Sequence, residues 1–396
     1  MNTFLIVGNT ADNPFVDDIA HHIAQQEDYS DLISLKSFLN TEFCPRFLVD
    51  ERNFDDIGNQ LQGKTVLIVS TTLTHYTRDE LAMRNFLIIR AAKDNGAQRV
   101  ILLEPDLFYS AQDRGPRNEH GLTGFKRDLE DYKKFDGQPF SARIYADLLK
   151  QSGVDDVFTV HNHSCSVQSV FMDRLSGRFH NAVPADLYAH YIFDSDVIDE
   201  NKLVICAPDR GARPFAEVTR KAFPFAGIPL ITIDKERLSE QEINVRVAQD
   251  SEIGLKDLSG KDVVVFDDMV RTGHTIVECC RLLRKGNPRR IVFFVTHFYS
   301  SREGRIYLND PVIDEIVTTD TIPGILNRDV QGRLRHKLVV LKIERWIAAY
   351  ILGFLFPQAE PLKPPLYTED MSSKNPRWKG RMGPLLSNQD WVPPHV

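Results

Sequence analysis

Short, almost continuous apolar runs alternate with amphipathic stretches along most of this chain. That alternation constrains the fold more than any other feature. The runs FLIVG (4–8), TVLIVS (65–70), RVILLEP (99–105), DVFTVHNH (156–163), KLVICAPD (202–209), PLITIDK (229–235), KDVVVFDD (261–268), RIVFFVTH (290–297) and DEIVTTDTI (314–322) read as strands. Helical spacing appears between them, near 14–26 and at 80–96, 142–153, 214–222 and 273–285. Strands without polar alternation are buried on both faces, so the pattern predicts α/β architecture with parallel sheets covered by helices. The pattern restarts between residues 155 and 200, which predicts two similar α/β domains, and 396 residues suffice for both cores.

Composition narrows the function. A net charge of −7 argues against nucleic-acid binding driven by overall charge, yet leaves room for a small anion held by local donors. Five cysteines (Cys44, Cys165, Cys206, Cys279, Cys280) form no CxxC pair and read as buried free thiols of a reducing compartment. The start, Met1-Asn2-Thr3-Phe4, runs into a strand with no basic, signal-like opening. The apolar stretch RWIAAYILGFLF (345–356) is too short to span a bilayer and reads as a core helix. The expectation is a cytoplasmic protein with neither a membrane nor a nucleic-acid partner.

Two segments break the pattern. Residues 113–139 are polar and long for a loop, the kind of loop that is often functional or mobile. Residues 357–396 are rich in proline and polar residues, with Trp378 and Trp391 interspersed, and read as an extended tail, either disordered or docked on a neighbour.

The chemistry concentrates in VVVFDDMVRTGHTI (263–276). In open α/β sheets ligands sit beyond the carboxyl ends of the strands, where this run places Asp267 and Asp268. The next residues, Arg271, Thr272, Gly273, His274 and Thr275, lie where a helix begins, and its N–H groups form a phosphate cradle. Two acids beside a phosphate cradle suit a phosphosugar. Taken alone, the same run also fits an ordinary strand end with solvated acids.

The stretch resembles the phosphoribosyl-pyrophosphate motif of type I phosphoribosyltransferases and of ribose-phosphate pyrophosphokinases. The second family matches more of the chain, in order: FYSAQDR (108–114), VFTVHNHS (157–164), PADLYA (184–189), ICAPDRGARPFAE (205–217), IDKER (233–237), VTHFYS (295–300) and TTDTIP (318–323). The resemblance implies an α/β fold of two similar type I phosphoribosyltransferase-like domains. Residues 1–155 would form the first and 156–335 the second, followed by a terminal helix at 336–356 and the tail at 357–396. It implies transfer of the diphosphoryl group of ATP to O1 of ribose 5-phosphate, with Mg²⁺ as cofactor and a homo-oligomeric assembly.

Roles follow on the same resemblance. Lys235 and Arg237, two residues apart and so on one side of an extended chain, would clamp the transferring phosphates. His163 and Asp209 match the metal positions; zinc is rejected at His161-Asn162-His163 for want of further ligands. Asp267 and Asp268 would face the ribose hydroxyls, with residues 271–275 on the 5-phosphate. Gln112, Asp113 and Arg114, with Phe38, Asn40 and Glu42 of SFLNTE (37–42), match nucleotide-binding segments.

The chain departs from the family pattern in both substrate sites. Arg271 replaces an aspartate, His274 fills a glycine-like position, Ala111 replaces an arginine, and Asn40-Thr41 stand for Asp-Gly. Arg114 or Arg117 would have to supply the charge missing at Ala111. Three functions stay open: an active pyrophosphokinase, a weak or silent homologue that binds nucleotide or partner subunits, and a phosphoribosyltransferase.

Overall fold

The computed structural model describes residues 4–370, apart from residues 24, 26, 49, 74, 124–125, 195–197 and 238–242, and gives only the backbone of residues 200, 236, 237, 243 and 244. It contains two main sheets. Strands β1 (Phe4–Gly8), β4 (Thr65–Val69), β5 (Arg99–Leu103), β6 (Asp156–Val160) and β7 (Phe179–Ala182) form the first, all parallel and in chain order. A separate antiparallel hairpin, β2 (Ile33–Ser37) and β3 (Phe43–Phe47), stands outside it.

The second sheet holds β8 (Leu203–Ala207), β9 (Leu230–Arg237), β10 (Ile243–Val247), β11 (Asp262–Val270), β12 (Arg290–Phe298), β13 (Glu315–Thr319), β14 (Leu338–Lys342) and β15 (Thr368–Glu369). Their order is β10-β9-β8-β11-β12-β13-β14-β15, parallel except for the antiparallel outer pairs β9/β10 and β14/β15. The α/β class is thus borne out. Along β11 the side chains alternate between two cores. Val264 and Phe266 join a core shared with the first sheet, whereas Val263 and Val265 face a second core under the helix His274–Arg284. All four are fully buried, and each such side chain contributes roughly 1.5–3 kcal/mol.

Several expectations shift. The first sheet does not stop at residue 155: β6 and β7 pair into it, so it runs to Ala182. The segment 336–356 is not all helix. It first adds β14 to the sheet, and only then forms the helix Glu344–Leu355 over the expected apolar stretch. That helix returns to the first half, where Phe354 meets Phe158 edge-on at 5.0 Å, and Lys342 at the end of β14 pairs with Asp18 at 2.6 Å. The start of the tail docks on the chain's own sheet through β15, with Tyr367 edge-on to Tyr191 at 5.8 Å. Trp378 and Trp391 lie outside the described residues. Of the five thiols only Cys206, Cys279 and Cys280 are buried; Cys44 and Cys165 are exposed because a hairpin strand and a helix start carry them. Among the described residues no helix is long and apolar enough to cross a membrane.

Candidate functional site between the two sheets

The strand order of the second sheet reverses at β8. The chain leaves β8 for β9 on one side and later returns to β11 on the other. Such a switch point opens a crevice at the carboxyl ends of the strands. Pairing between β8 and β11 ends at Cys206 and Val265, while β11 continues beside β12 to Val270 and Phe298. Asp267 and Asp268 therefore sit within β11 and not at its end, just where β8 falls away. Asp209 follows β8 on the other lip, with its Oδ1 accepting the N–H of Ala212 at 3.0 Å. Lys235 lies on the same rim, three residues beyond Thr232, which pairs with Ala207. Arg237 lies two residues further on; its side chain is outside the described atoms.

After β11 the chain turns sharply into the helix His274–Arg284. Gly273 makes the turn at φ +76°, and a Cβ there would fall 2.7 Å from Leu308 Cγ, so only glycine fits. The backbone of Arg271 is pinned, since its carbonyl accepts Ser301 Oγ at 3.0 Å. Arg271 and Thr272 are exposed, and the His274 ring turns to meet Tyr307 edge-on at 5.4 Å. The bulk of His274 is thus carried away from the turn. The N–H groups of the first turn have no partner within the helix and open onto this loop.

The acids are electrostatically linked to the first sheet. His163, three residues past β6, approaches Asp268 Oδ2 with its Nδ1 at 2.6 Å. Burial disfavours the charge on His163, but the hydrogen bond and charge of Asp268 outweigh it and raise the imidazole above its usual value. Burial likewise opposes ionisation of Asp268, yet the His163 bond and charge hold that carboxyl down at about 2. Burial, with the charges of Asp268 and Asp209 behind it, pushes Asp267 well above the usual carboxylate range. The crevice thus holds one ion pair and one carboxyl crowded toward its protonated form.

Behind the acids, residues not singled out from the sequence close the seam between the sheets. His161 Nδ1 lies 2.7 Å from Thr296 Oγ1, its ring packs 3.9 Å from that of Phe215, and its backbone has φ +48°. Burial lowers its pKa to about 3, so it is neutral. His297 Nε2 donates to the carbonyl of Val160 at 2.9 Å. Tyr299 Oη donates to Asp106 Oδ1 at 2.7 Å, and Arg78 bonds both Asp106 and Tyr299. The local signs were the matched segments VFTVHNHS (157–164), ICAPDRGARPFAE (205–217) and VTHFYS (295–300), in which none of these residues was given a role.

Residues 184–326 match the phosphoribosyl transferase domain family. Curated proteins named ribose-phosphate pyrophosphokinase match a longer stretch. The protein from Corynebacterium efficiens is 30% identical over 61% of this chain and 65% of its own length, just under two thirds. That from Ralstonia nicotianae is 28% identical over 68% of this chain and 74% of its own length, and that from Methanopyrus kandleri 27% over 72% and 87%. The chain is thus similar to ribose-phosphate pyrophosphokinases over most of its length, at the low identity of a divergent relative. The crystal structure of phosphoribosylpyrophosphate synthetase from Mycobacterium smegmatis shares its fold, with a TM-score of 0.67 at 23% identity, covering 89% of this chain and 99% of that one.

The segments matched to nucleotide binding in this pyrophosphokinase family are placed less uniformly. Gln112 accepts Ser141 Oγ at 2.5 Å, and the carbonyl of Asp113 accepts Ser166 Oγ at 2.5 Å, which ties the segment to the helices Ser141–Ser152 and Cys165–Arg174. Asp113 also acts through its charge on His163. Arg114 is drawn away: it pairs with Asp131 at 3.0 Å and lies over the Phe135 ring. The long segment 113–139 is accordingly no open loop. It contains the helix Leu129–Lys134 and closes around Arg127, which bonds Asp131 and the carbonyls of Gly115, Arg117 and His120. Phe38, Asn40 and Glu42 form the tip of the β2–β3 hairpin, where Phe38 N–H donates to the Glu42 carbonyl at 2.8 Å. Among the described residues no hydrogen bond, ion pair or ring contact ties that tip to the crevice.

Among the described residues no group of three or more His, Cys, Asp or Glu side chains is arranged to hold a metal ion by itself. The donor set nonetheless fits a hard divalent cation. Asp209, Asp267 and Asp268 offer only oxygen, and their mutual repulsion is what a cation would relieve. Mg²⁺ commonly takes one or two carboxylates and completes its shell from water and substrate phosphate.

Proposed function

We propose that the chain is a Mg²⁺-dependent ribose-phosphate pyrophosphokinase that transfers the diphosphoryl group of ATP to O1 of ribose 5-phosphate, giving phosphoribosyl pyrophosphate and AMP. The observation that carries this reading is the 2.6 Å contact between His163 and Asp268. It joins, across the two sheets, a residue matched to the metal position with a residue matched to the ribose site.

In this reading the pinned loop 271–275 and the first turn of the helix hold the 5-phosphate. Asp268, ionised and with one oxygen engaged by His163, turns its other oxygen to a ribose hydroxyl. Asp267 supports the neighbouring hydroxyl. Lys235 and Arg237 neutralise charge that builds on the transferring group, and removal of such a group typically costs on the order of 10²-fold in rate or more. Mg²⁺ held by Asp209 and His163 would neutralise the phosphate chain when bound. Gln112, Asp113 and the hairpin residues Phe38, Asn40 and Glu42 serve the nucleotide. Leu39 is fully exposed beside Phe38 at the tip, which supports a homo-oligomer in which the tip reaches a neighbouring copy. A cytoplasmic location goes with this reading.

Engagement of Arg114 by Asp131, together with Ala111, favours a second reading in which the chain is a weak or silent homologue. One assay separates the two. Purified protein incubated with ATP, Mg²⁺ and ribose 5-phosphate should form AMP well above a Lys235→Ala control. Equal, background rates would leave the silent homologue, and pyrophosphate release that depends on an added base would point to a phosphoribosyltransferase.

A further inference from the structure

Ala111 leaves the nucleotide segment one arginine short of the pattern it resembles, and the nearby Arg114 is held by Asp131. A guanidinium reaches the same wall from another element. Arg78 is the first residue of the helix Arg78–Asp94, whose start is fixed by a reciprocal cap between Thr77 and Glu80. A cation there opposes the helix dipole, so helix stability does not account for it. The neighbouring Asp79 accepts Tyr109 Oη at 2.6 Å, which fastens the helix start to the stretch just before Ala111. Arg78 Cζ lies 5.1 Å from the Phe108 ring and 5.2 Å from the Tyr299 ring.

Among the described residues only one amino group of Arg78 is used. Its Nη2 bonds Asp106 and, at 3.2 Å, Tyr299 Oη; among the described residues its Nη1 and Nε have no acceptor. The side chain is 31% exposed, so its unused edge is open to a ligand. From the second sheet, Arg271 brings its Cζ to 5.9 Å from the same Tyr299 ring. Two guanidinium groups, one from each side of the seam, thus share one ring between the nucleotide segment and the phosphate loop.

We propose that Arg78 is the cation that replaces the arginine missing at position 111, and that it binds the phosphate chain of the nucleotide in the seam between the sheets; this rests on the pyrophosphokinase reading above. Asp106 and Tyr299 position it. The planar guanidinium carries five donors, so it can hold a carboxylate on one edge and phosphate oxygens on the other.

The test is isothermal titration of the full chain, with Mg²⁺, against α,β-methylene-ATP and separately against ribose 5-phosphate. Arg78→Ala should weaken the nucleotide analogue about 10- to 100-fold, the loss expected for a charge-assisted hydrogen bond. Its ribose 5-phosphate affinity should change by less than about 3-fold. Arg78→Lys should recover part of the loss, and Ala111→Arg added to Arg78→Ala should recover more. Unchanged analogue affinity in Arg78→Ala, or equal weakening of both ligands, overturns the proposal. So does a wild-type chain that does not bind the analogue. A wild-type chain that binds the analogue but makes no AMP removes the pyrophosphokinase reading and leaves Arg78 testable by the same titration.

Discussion

Tyr299, one residue past β12, donates its hydroxyl to Asp106, three residues past β5, at 2.7 Å. This bond crosses from one sheet to the other, and Asp106 is almost completely buried. Its second oxygen takes the Arg78 guanidinium. Tyr299→Phe would keep the ring and its packing but leave Asp106 one donor short. A buried acceptor left unsatisfied costs about 1–3 kcal/mol. Urea unfolding should therefore show a loss of that size, and a change below about 0.5 kcal/mol would mean the bond does not hold the sheets together.

A second prediction concerns pH. Glu104, at the end of β5, is fully buried and accepts Phe108 N–H at 2.5 Å, Tyr145 Oη at 2.7 Å and Asn85 Nδ2 at 3.1 Å. Burial pushes its carboxyl up from the ordinary 4.5 to about 8, against the pull of the Tyr145 and Phe108 bonds. Between those values the folded chain keeps a proton that the unfolded chain has released. The stability contributed by protonated Glu104 is thus fully present below pH 4.5 and is lost as pH rises through 8. The loss amounts to about 3–5 kcal/mol. Glu104→Gln removes the titration, so the wild type should lose ground relative to the variant from pH 5 to pH 9. Urea unfolding of both across that range checks it, and a constant difference would place the Glu104 titration elsewhere.

What the sequence made legible follows from local chemistry. Among the described residues nine strands of the two sheets are largely apolar runs and could be read one by one, whereas the mixed FHNA of β7 and INVRV of β10, the two-residue β15, and β14, which lies where a helix is expected, could not. The β2–β3 hairpin could not: its strands, ISLKS and FCPRF, are mixed and carry Pro45. It packs beside the helix Arg78–Asp94 and joins neither sheet, with Arg84 Cζ 3.8 Å from the Phe43 ring. The acids Asp267 and Asp268 were legible as a pair, but β11 continues past them because β12 is equally long. The triad of Arg78, Asp106 and Tyr299 spans separations of 28 and 193 residues, and no local pattern announces such partners.

The segment 113–139 shows the same limit and yields a third prediction. Its polar composition suggests a loop, yet one buried arginine organises it. Arg127 donates to Asp131 at 2.5 Å and to three carbonyls, and its guanidinium lies 4.4 Å from the Tyr132 ring. Arg127→Ala would leave those acceptors buried without this donor, a loss of roughly 3 kcal/mol or more. The effect should be local. Limited proteolysis should cut the variant within 113–139 at protease levels that spare the wild type; an unchanged digestion pattern would show that Arg127 does not hold the segment.

The last prediction concerns Arg271, where the chain leaves the family's aspartate. Its backbone is held against the helix Arg302–Leu308: its carbonyl accepts Ser301 Oγ at 3.0 Å, and Gly304 approaches so closely that a Cβ there would fall 2.5 Å from the same oxygen. The side chain is exposed and can be exchanged without moving the loop. Arg271→Asp therefore reads charge alone. If residues 271–275 hold the 5-phosphate, replacing a cation by an anion should weaken ribose 5-phosphate about 10-fold or more at low salt, since charge-assisted bonds contribute about 1.5–3 kcal/mol. Raising the ionic strength should shrink that difference, because exposed charges are screened. Isothermal titration at two salt concentrations measures both effects. Unchanged or tighter binding of ribose 5-phosphate by the variant would remove Arg271 from the phosphate site, and the substitution would then be a feature of the surface.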